Sequence, residues 1–238
     1  MRLLEILPDY EVKRFNRPPL LSSGDHKNLF RLDEVMASLI KNAKEDTNKV
    51  GLLVSYGYFK ASGKFYPQGA FRWDDIKAAA KTLGVPVPKD FSSKYHDRTR
   101  QKHRRMILEK CGYVDSTRAQ FFLESIAEDL VANQMHPRKL FYILVETLRH
   151  KKIECPGYDK IARVITEKLN TFEKSKLHVI ASMVTPSQAE ALTQLISTTQ
   201  NYERPLLIRL KTITQSIRPA HIKNGMHHFL IIKNSSKR

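Results

Sequence analysis

The chain is short of the residues that mark several functional classes. It has two cysteines in 238 residues, Cys111 and Cys155, and they form no CxxC pair. A disulfide framework or a thiolate zinc cage is therefore excluded, and reduced cytosolic thiols are the expectation. No apolar run reaches the length of about 18 residues that a membrane helix needs. The opening stretch, MRLLEILPDYEVKR, lacks an apolar core followed by a small-residue cleavage site, so no signal peptide is expected. There is no P-loop, no GxGxxG and no GxSxG. Metal-ligand spacing is absent too: His227 and His228 are adjacent, His96 and His103 are seven apart, and there is no HExxH. Asp74 and Asp75 stand together at a helix start. Acids there favour the helix dipole and its free N–H groups, which is a better account of the pair than two-metal chemistry. No metal, cofactor or small-molecule substrate is expected.

Acids as a class are scarce, with 24 Asp and Glu against 41 Lys and Arg, for a net charge of +17. The excess is not spread evenly. Residues 51–112 carry 13 bases and 5 acids, and residues 201–238 carry 8 and 1. Residues 1–50 (9 and 8) and 113–200 (11 and 10) are each near balance. Charge gathered into blocks points to a nucleic-acid or anionic-surface footprint. Apolar residues make up 41% of the chain, enough for a core, so wholesale disorder is excluded.

Helical periodicity dominates. WDDIKAAAKTLG puts Trp73, Ile76, Ala80 and Leu83 on one face, with Gly84 as the C-cap. Pro86 and Pro88 then make GVPVPKD a connector. PRKLFYILVETLRHKK begins with Pro137 in the first turn and repeats Leu140, Phe141, Leu144, Val145 and Leu148. YDKIARVITEKL offers Ile161, Val164, Ile165 and Leu169. TPSQAEALTQLI carries a capping box, Thr185 with Gln188, ahead of a face of Ala189, Leu192, Leu195 and Ile196. GMHHFLII near the end is a weak strand signal without a partner. The expected fold is all-α, a multi-helix arrangement with helix-turn-helix-like packing and roughly nine or ten helices. Three regions are expected: a helical subdomain over 1–88, a second over 89–216 that includes the basic helix, and a basic tail or linker over 217–238.

The densest charge lies in KYHDRTRQKHRRM, residues 94–106, where six Lys or Arg and two His meet one acid, Asp97. Read as one helix, residues 94–105 span about 18 Å. Lys94, Arg98, Lys102 and Arg105 align along one stripe, and Arg100 and Arg104 form a second beside it. Tyr95, Thr99, His103, Met106 and Ile107 supply the face that docks onto the protein. Duplex DNA offers one phosphate charge per about 1.7 Å of axis, so several contacts fit over that length. The expected DNA-contacting residues are Lys94, Arg98, Arg100, Lys102, His103, Arg104 and Arg105, supported by Lys49, Lys60 and Lys64. In GYFKASGKFYPQGAFRW the rings of Tyr58, Phe59, Phe65 and Tyr66 suit core packing better than base stacking. Arg204, Arg209, Lys211, Arg218 and Lys223 extend the basic character to the tail, either as phosphate contacts or as a solubilised linker.

Taken in order, these segments resemble the N-terminal region of transposases of the Tn-three family. The resemblance is carried by FNRPP (Phe15 to Pro19), NLFRLDEVMASLI and NKVGLLVSYGYFKASGKFYP. The last supplies Asn48, Lys49, Gly51, Gly63 and Lys64, with Val50 in place of leucine and Lys49 where arginine is expected. That change keeps the charge and loses the bidentate fork. Next come Tyr95, Thr99-Arg100, His103, Ile107 and Gly112-Tyr113, then ECPGYDKIARVITE and MVTPSQAEALTQLI. The resemblance covers about residues 15 to 200 and fades past 217. It implies a helical, non-catalytic region that binds the transposon's terminal inverted repeats, acting in DNA transposition and recombination in the bacterial cytoplasm at the nucleoid. In that family catalysis belongs to a downstream RNase-H-like domain with three metal-binding acids. The chain stops at Arg238, so that domain is expected to be missing and the chain is not expected to cleave or join DNA. Two other classes stay open. One is RNA binding by a helical protein. The other is a protein-interaction module, with helices 117–133 and 137–150 as a homodimer surface. A nuclease is more distant.

Overall fold

Capping residues in the chain set where most of its helices start and stop. Ser22 and Asp25 form a capping box, the Asp33 carboxylate accepts from the Met36 amide, and Gly63, Gly84 and Gly112 end three helices with positive φ. The computed structural model describes residues 4–133 and 136–196. Among these the fold is all-α, as expected. The helices are α1 (Asp9–Asn16), α2 (Ser23–Leu29), α3 (Glu34–Ile40), α4 (Asp46–Ser62), α5 (Trp73–Leu83) and α6 (Phe91–Lys94). They continue with α7 (Asp97–Cys111), α8 (Gln120–Ala132), α9 (Pro137–His150), α10 (Tyr158–Met183) and α11 (Pro186–Ile196). Eleven helices are described, counting the very short α6, in keeping with the roughly nine or ten expected. The chain divides into two units, Met1–Glu173 and Lys174–Arg238.

In the first unit, α4 is buried all round: every residue from Val50 to Phe59 is inaccessible. A helix apolar on all sides must be enclosed, and α2, α3, α5 and α7 enclose it. Two glycines make that closeness possible. A Cβ on Gly51 would collide with the ring of Tyr95, and one on Gly57 with the ring of Phe30. Each glycine costs about 1 kcal/mol of helix propensity, offset by burying Tyr95 and Phe30 completely. The cluster around α4 runs across the proline connector, since Phe91, Tyr95, Ile107 and Leu108 pack with Ile76 and Ala80 of α5.

A second apolar cluster gathers α1, α8, α9 and the start of α10. Leu140, Phe141, Leu144 and Leu148 of α9 pack with Leu123, Ala127 and Val131 of α8, and with Ile161 and Ile165. Burying one such side chain contributes about 1.5–3 kcal/mol. Ile6 and Leu7 join this cluster and not the one nearer in sequence.

A polar seam links the two clusters. Val114 forms an isolated parallel bridge with Ile153, through Val114 N–H to Lys152 O and Glu154 N–H to Val114 O, each 2.9 Å. Cys155 N–H donates to Gly63 O at 2.9 Å. Lys64 is buried there: its Nζ donates to Phe15 O at 2.6 Å and lies 3.4 Å from the centroid of the Phe15 ring.

In the second unit, the capping box expected at Thr185 forms: Thr185 N–H donates to Gln188 Oε1 at 2.9 Å, and Gln188 N–H to Thr185 Oγ1 at 3.4 Å. Ala189 is exposed. The side chains of Leu192, Leu195 and Ile196 lie outside those described. So do residues 197–238, with the GMHHFLII stretch, the basic residues from Arg204 to Lys223 and the 217–238 tail.

Candidate nucleic-acid interface

The basic segment does not form one helix from Lys94. The chain breaks at Tyr95 (φ −86, ψ 83) and His96 (φ −69, ψ 150), and α7 starts at Asp97. The break lets the Tyr95 ring turn inward against Gly51, within ring contact of Phe91 and His103. Its hydroxyl stands 2.9 Å from His103 Nδ1. Lys94 therefore ends α6 and lies off the α7 stripe, exposed and 3.9 Å from Asp90.

From Asp97 onward, α7 presents two faces. His103, Ile107 and Leu108 are buried, and Thr99 and Met106 half-buried. Opposite them, Arg98, Lys102 and Arg105 are exposed. Among the described residues none of the three has an ion-pair partner. They are spread over about 10 Å of helix axis, and Glu109 stands exposed at the C-terminal end of the same stripe.

The other expected contact residues are placed differently. Arg104 is turned inward, with its side chain 17% exposed. Its Nε donates to Glu154 Oε1 at 2.7 Å, its Nη2 makes a very short bond to Glu154 Oε2, and Nη2 stands 2.5 Å from Asp115. Burial alone raises the Asp115 carboxyl, but the Thr117 amide and Arg104 hold it below its ordinary value. Arg100 is clamped to Asp97 Oδ1 at 2.5 Å. His103, expected as a DNA contact, is a core residue at 4% exposure. Burial, then the charge of Lys102, pushes its pKa down to about 4, so it is neutral. Lys64, also expected as a contact, is buried in the seam, where burial lowers its pKa to about 8. Lys60 is exposed and pairs with Asp33 at 3.2 Å, and half-buried Lys49 pairs with Asp46 at 2.9 Å.

Two further expectations are corrected. Asp75 lies in the first turn of α5, as expected, but its carboxylate makes no capping hydrogen bond. It is buried, accepting from the Tyr58 hydroxyl at 2.5 Å and standing 2.6 Å from His26 Nε2, so it ties α4 and α2 to α5. Trp73 is not on the core face of α5 but 48% exposed. Core packing is borne out for Tyr58, Phe59 and Tyr66, all buried, and Phe65 stacks on Phe59 at 4.7 Å. Glu154 and Asp115, which hold Arg104, have no local signal in the sequence. Only the fold brings them to it. Among the described residues there is no grouping of three or more His, Cys, Asp or Glu able to hold a metal ion, and no helix is long and apolar enough to cross a membrane.

A family model described as a domain of unknown function, DUF4158, matches residues 6–168. The chain belongs to this family. The match takes in both apolar clusters, the seam and the whole of α7. No curated protein matches the chain.

Proposed function

We propose that this DUF4158 chain is a non-catalytic duplex-DNA-binding region of the kind that recognises terminal inverted repeats in transposases of the Tn-three family. The observation that carries the reading is the row Arg98, Lys102 and Arg105. Three cations stand on the outer face of a helix whose other face is fixed in the core, and among the described residues none of them forms an ion pair. Holding cations unpaired on a rigid support suits an anionic partner. Phosphate contacts from the row set affinity and register, and either arginine is suited to read a guanine edge. Lys94 is exposed at the end of α6, just before the row in sequence. The ordered motifs from FNRPP to MVTPSQAEALTQLI support the family resemblance. Two of their residues, Gly51 and Tyr95, build the platform that His103 on the inner face of α7 rests against, and Gly112 ends that helix. The place of action in this reading is the bacterial nucleoid.

The test is fluorescence anisotropy on a terminal-repeat duplex and its scramble at several salt concentrations, with structured RNA as competitor. Tighter binding to the repeat that survives about 0.15 M salt supports the reading. Replacing Arg98, Lys102 and Arg105 by alanine is expected to flatten the slope of log affinity against log salt by about 2.7, or 0.9 per lost contact. Equal binding to both duplexes, or preference for RNA, overturns it. A second reading, a homodimer through α8 and α9, is favoured by the exposed rings of Phe121 (75%) and Phe122 (57%). A mass measurement without DNA decides it.

A further inference from the structure

The chain has a single tryptophan, and Trp73 stands half-exposed at the first residue of α5. It borders an open pocket of about 380 Å³. Phe71, Ile76 and Phe91 supply apolar lining, Ser92 supplies a hydroxyl, Ser93 a hydroxyl that donates to Asp90 O at 2.9 Å and can still accept, and Lys89 supplies a cation. Phe71 and Phe91 are stacked, with centroids 5.7 Å apart and planes 29° apart. Asp90 is the carboxylate of the lining, and Lys94 Nζ approaches it at 3.9 Å. The pocket is coupled to α7 by the chain and by its rings. Phe91 touches Tyr95 at 5.3 Å, Tyr95 touches His103 of α7 at 5.6 Å, and Arg98 begins the cationic row four residues after Lys94.

We infer that this pocket receives one unstacked nucleobase of a DNA molecule lying along α7. A planar ring fits an exposed indole beside an aromatic floor, because every base has a π-face to stack. Hydroxyls at the rim suit the hydrogen-bonding edge of a base. Lys89, with exposed Arg72 next to Trp73, suits the phosphates on either side. An apolar peptide would not need these cations, and a free phosphate would not need the rings. The inference rests on the reading of α7 as a duplex-binding helix. It adds that the duplex is locally opened at the N-terminal end of that helix.

The sole tryptophan is its own reporter. Two duplexes of the same terminal-repeat sequence, one fully paired and one with a single unpaired thymine, are titrated into the full chain. Anisotropy and tryptophan emission are followed together. The expected result is quenching of Trp73 by the duplex with the unpaired base, and binding about tenfold tighter than to the paired one. Trp73→Ala is expected to abolish that preference and leave the paired duplex bound as before, while Trp73→Phe keeps part of it. Because Trp73 is half-exposed, neither variant threatens the fold. Binding that depends on Arg98, Lys102 and Arg105 but shows no preference and no quenching overturns the pocket alone. A preference unchanged in Trp73→Ala does the same. If the wild-type chain binds neither duplex, the α7 reading fails and this inference fails with it.

Discussion

Arg104 and Arg105 are neighbours in sequence with opposite surroundings, and replacing each by alanine separates fold from function. Arg104→Ala removes the partner of Glu154, whose side chain is only 7% exposed, and of half-buried Asp115. Breaking a buried ion pair from one side costs about 3–5 kcal/mol, and the 17% exposure of Arg104 argues for the lower end, about 3 kcal/mol. For a chain of this size that lowers Tm by about 6–12 °C. Arg105→Ala removes an exposed cation without a partner among the described residues, so its stability changes by no more than about 0.5 kcal/mol. Its effect is on DNA: one lost phosphate contact flattens the salt slope by about 0.9. Between about 50 and 200 mM salt, the affinity gap between wild type and Arg105→Ala then narrows about 3.5-fold. Thermal unfolding by far-ultraviolet circular dichroism reads the first variant, and anisotropy across the salt series reads the second. Equal melting temperatures for the two variants would refute the reasoning. So would a salt slope changed by Arg104→Ala in a protein that melts like wild type.

Two more predictions concern the support beneath α7. His103 has a folded pKa of about 4 against about 6.5 in the unfolded chain. The unfolded state therefore binds the extra proton first. Stability is full above about pH 6.5 and falls by up to about 3 kcal/mol as pH drops to about 4. Denaturation midpoints of His103→Gln, measured from neutral to acid, are expected to lose that part of the pH dependence; an unchanged profile rejects the burial argument. Gly51→Ala places a Cβ 2.5 Å from the fully buried Tyr95 ring. Overpacking of about 1–3 kcal/mol then outweighs a helix-propensity gain of about 1 kcal/mol. Gly24→Ala, which meets only Ser22 Oγ at 3.7 Å, is expected to be neutral or stabilising. A Gly51→Ala protein as stable as Gly24→Ala contradicts the close approach.

Much of the local structure was legible because it is written locally. The stop at Gly84, the start at Pro137 and the apolar face of α9 each follow from residues within a turn or two. The inward face of α7 was legible too, since Ile107 falls opposite Arg98 and Lys102. What escaped was decided by partners distant in sequence. Tyr95 breaks the basic segment because its ring fills the space left by Gly51, 44 residues earlier. Arg104 has the same charge as Arg105, and only Glu154, 50 residues on, distinguishes them. Lys64 reads as a surface cation until the Phe15 carbonyl and ring are placed above it. Asp75 reads as a helix-start acid until Tyr58 and His26 reach it.

The membership of α1 in the second cluster has a consequence for synthesis. The cluster around α4 is built from residues 30 to 108, close enough in sequence to assemble while the rest of the chain is still being made. Ile6 and Leu7 must instead wait for α9 and the start of α10, more than 130 residues later in translation. Arg138 of α9 closes on Glu11 of α1 at 2.5 Å across the same interval. α1 thus leaves the ribosome well before the helices it packs against. During that interval its apolar side is open to chaperones or to a wrong partner, while the platform beneath the cationic row can already be complete.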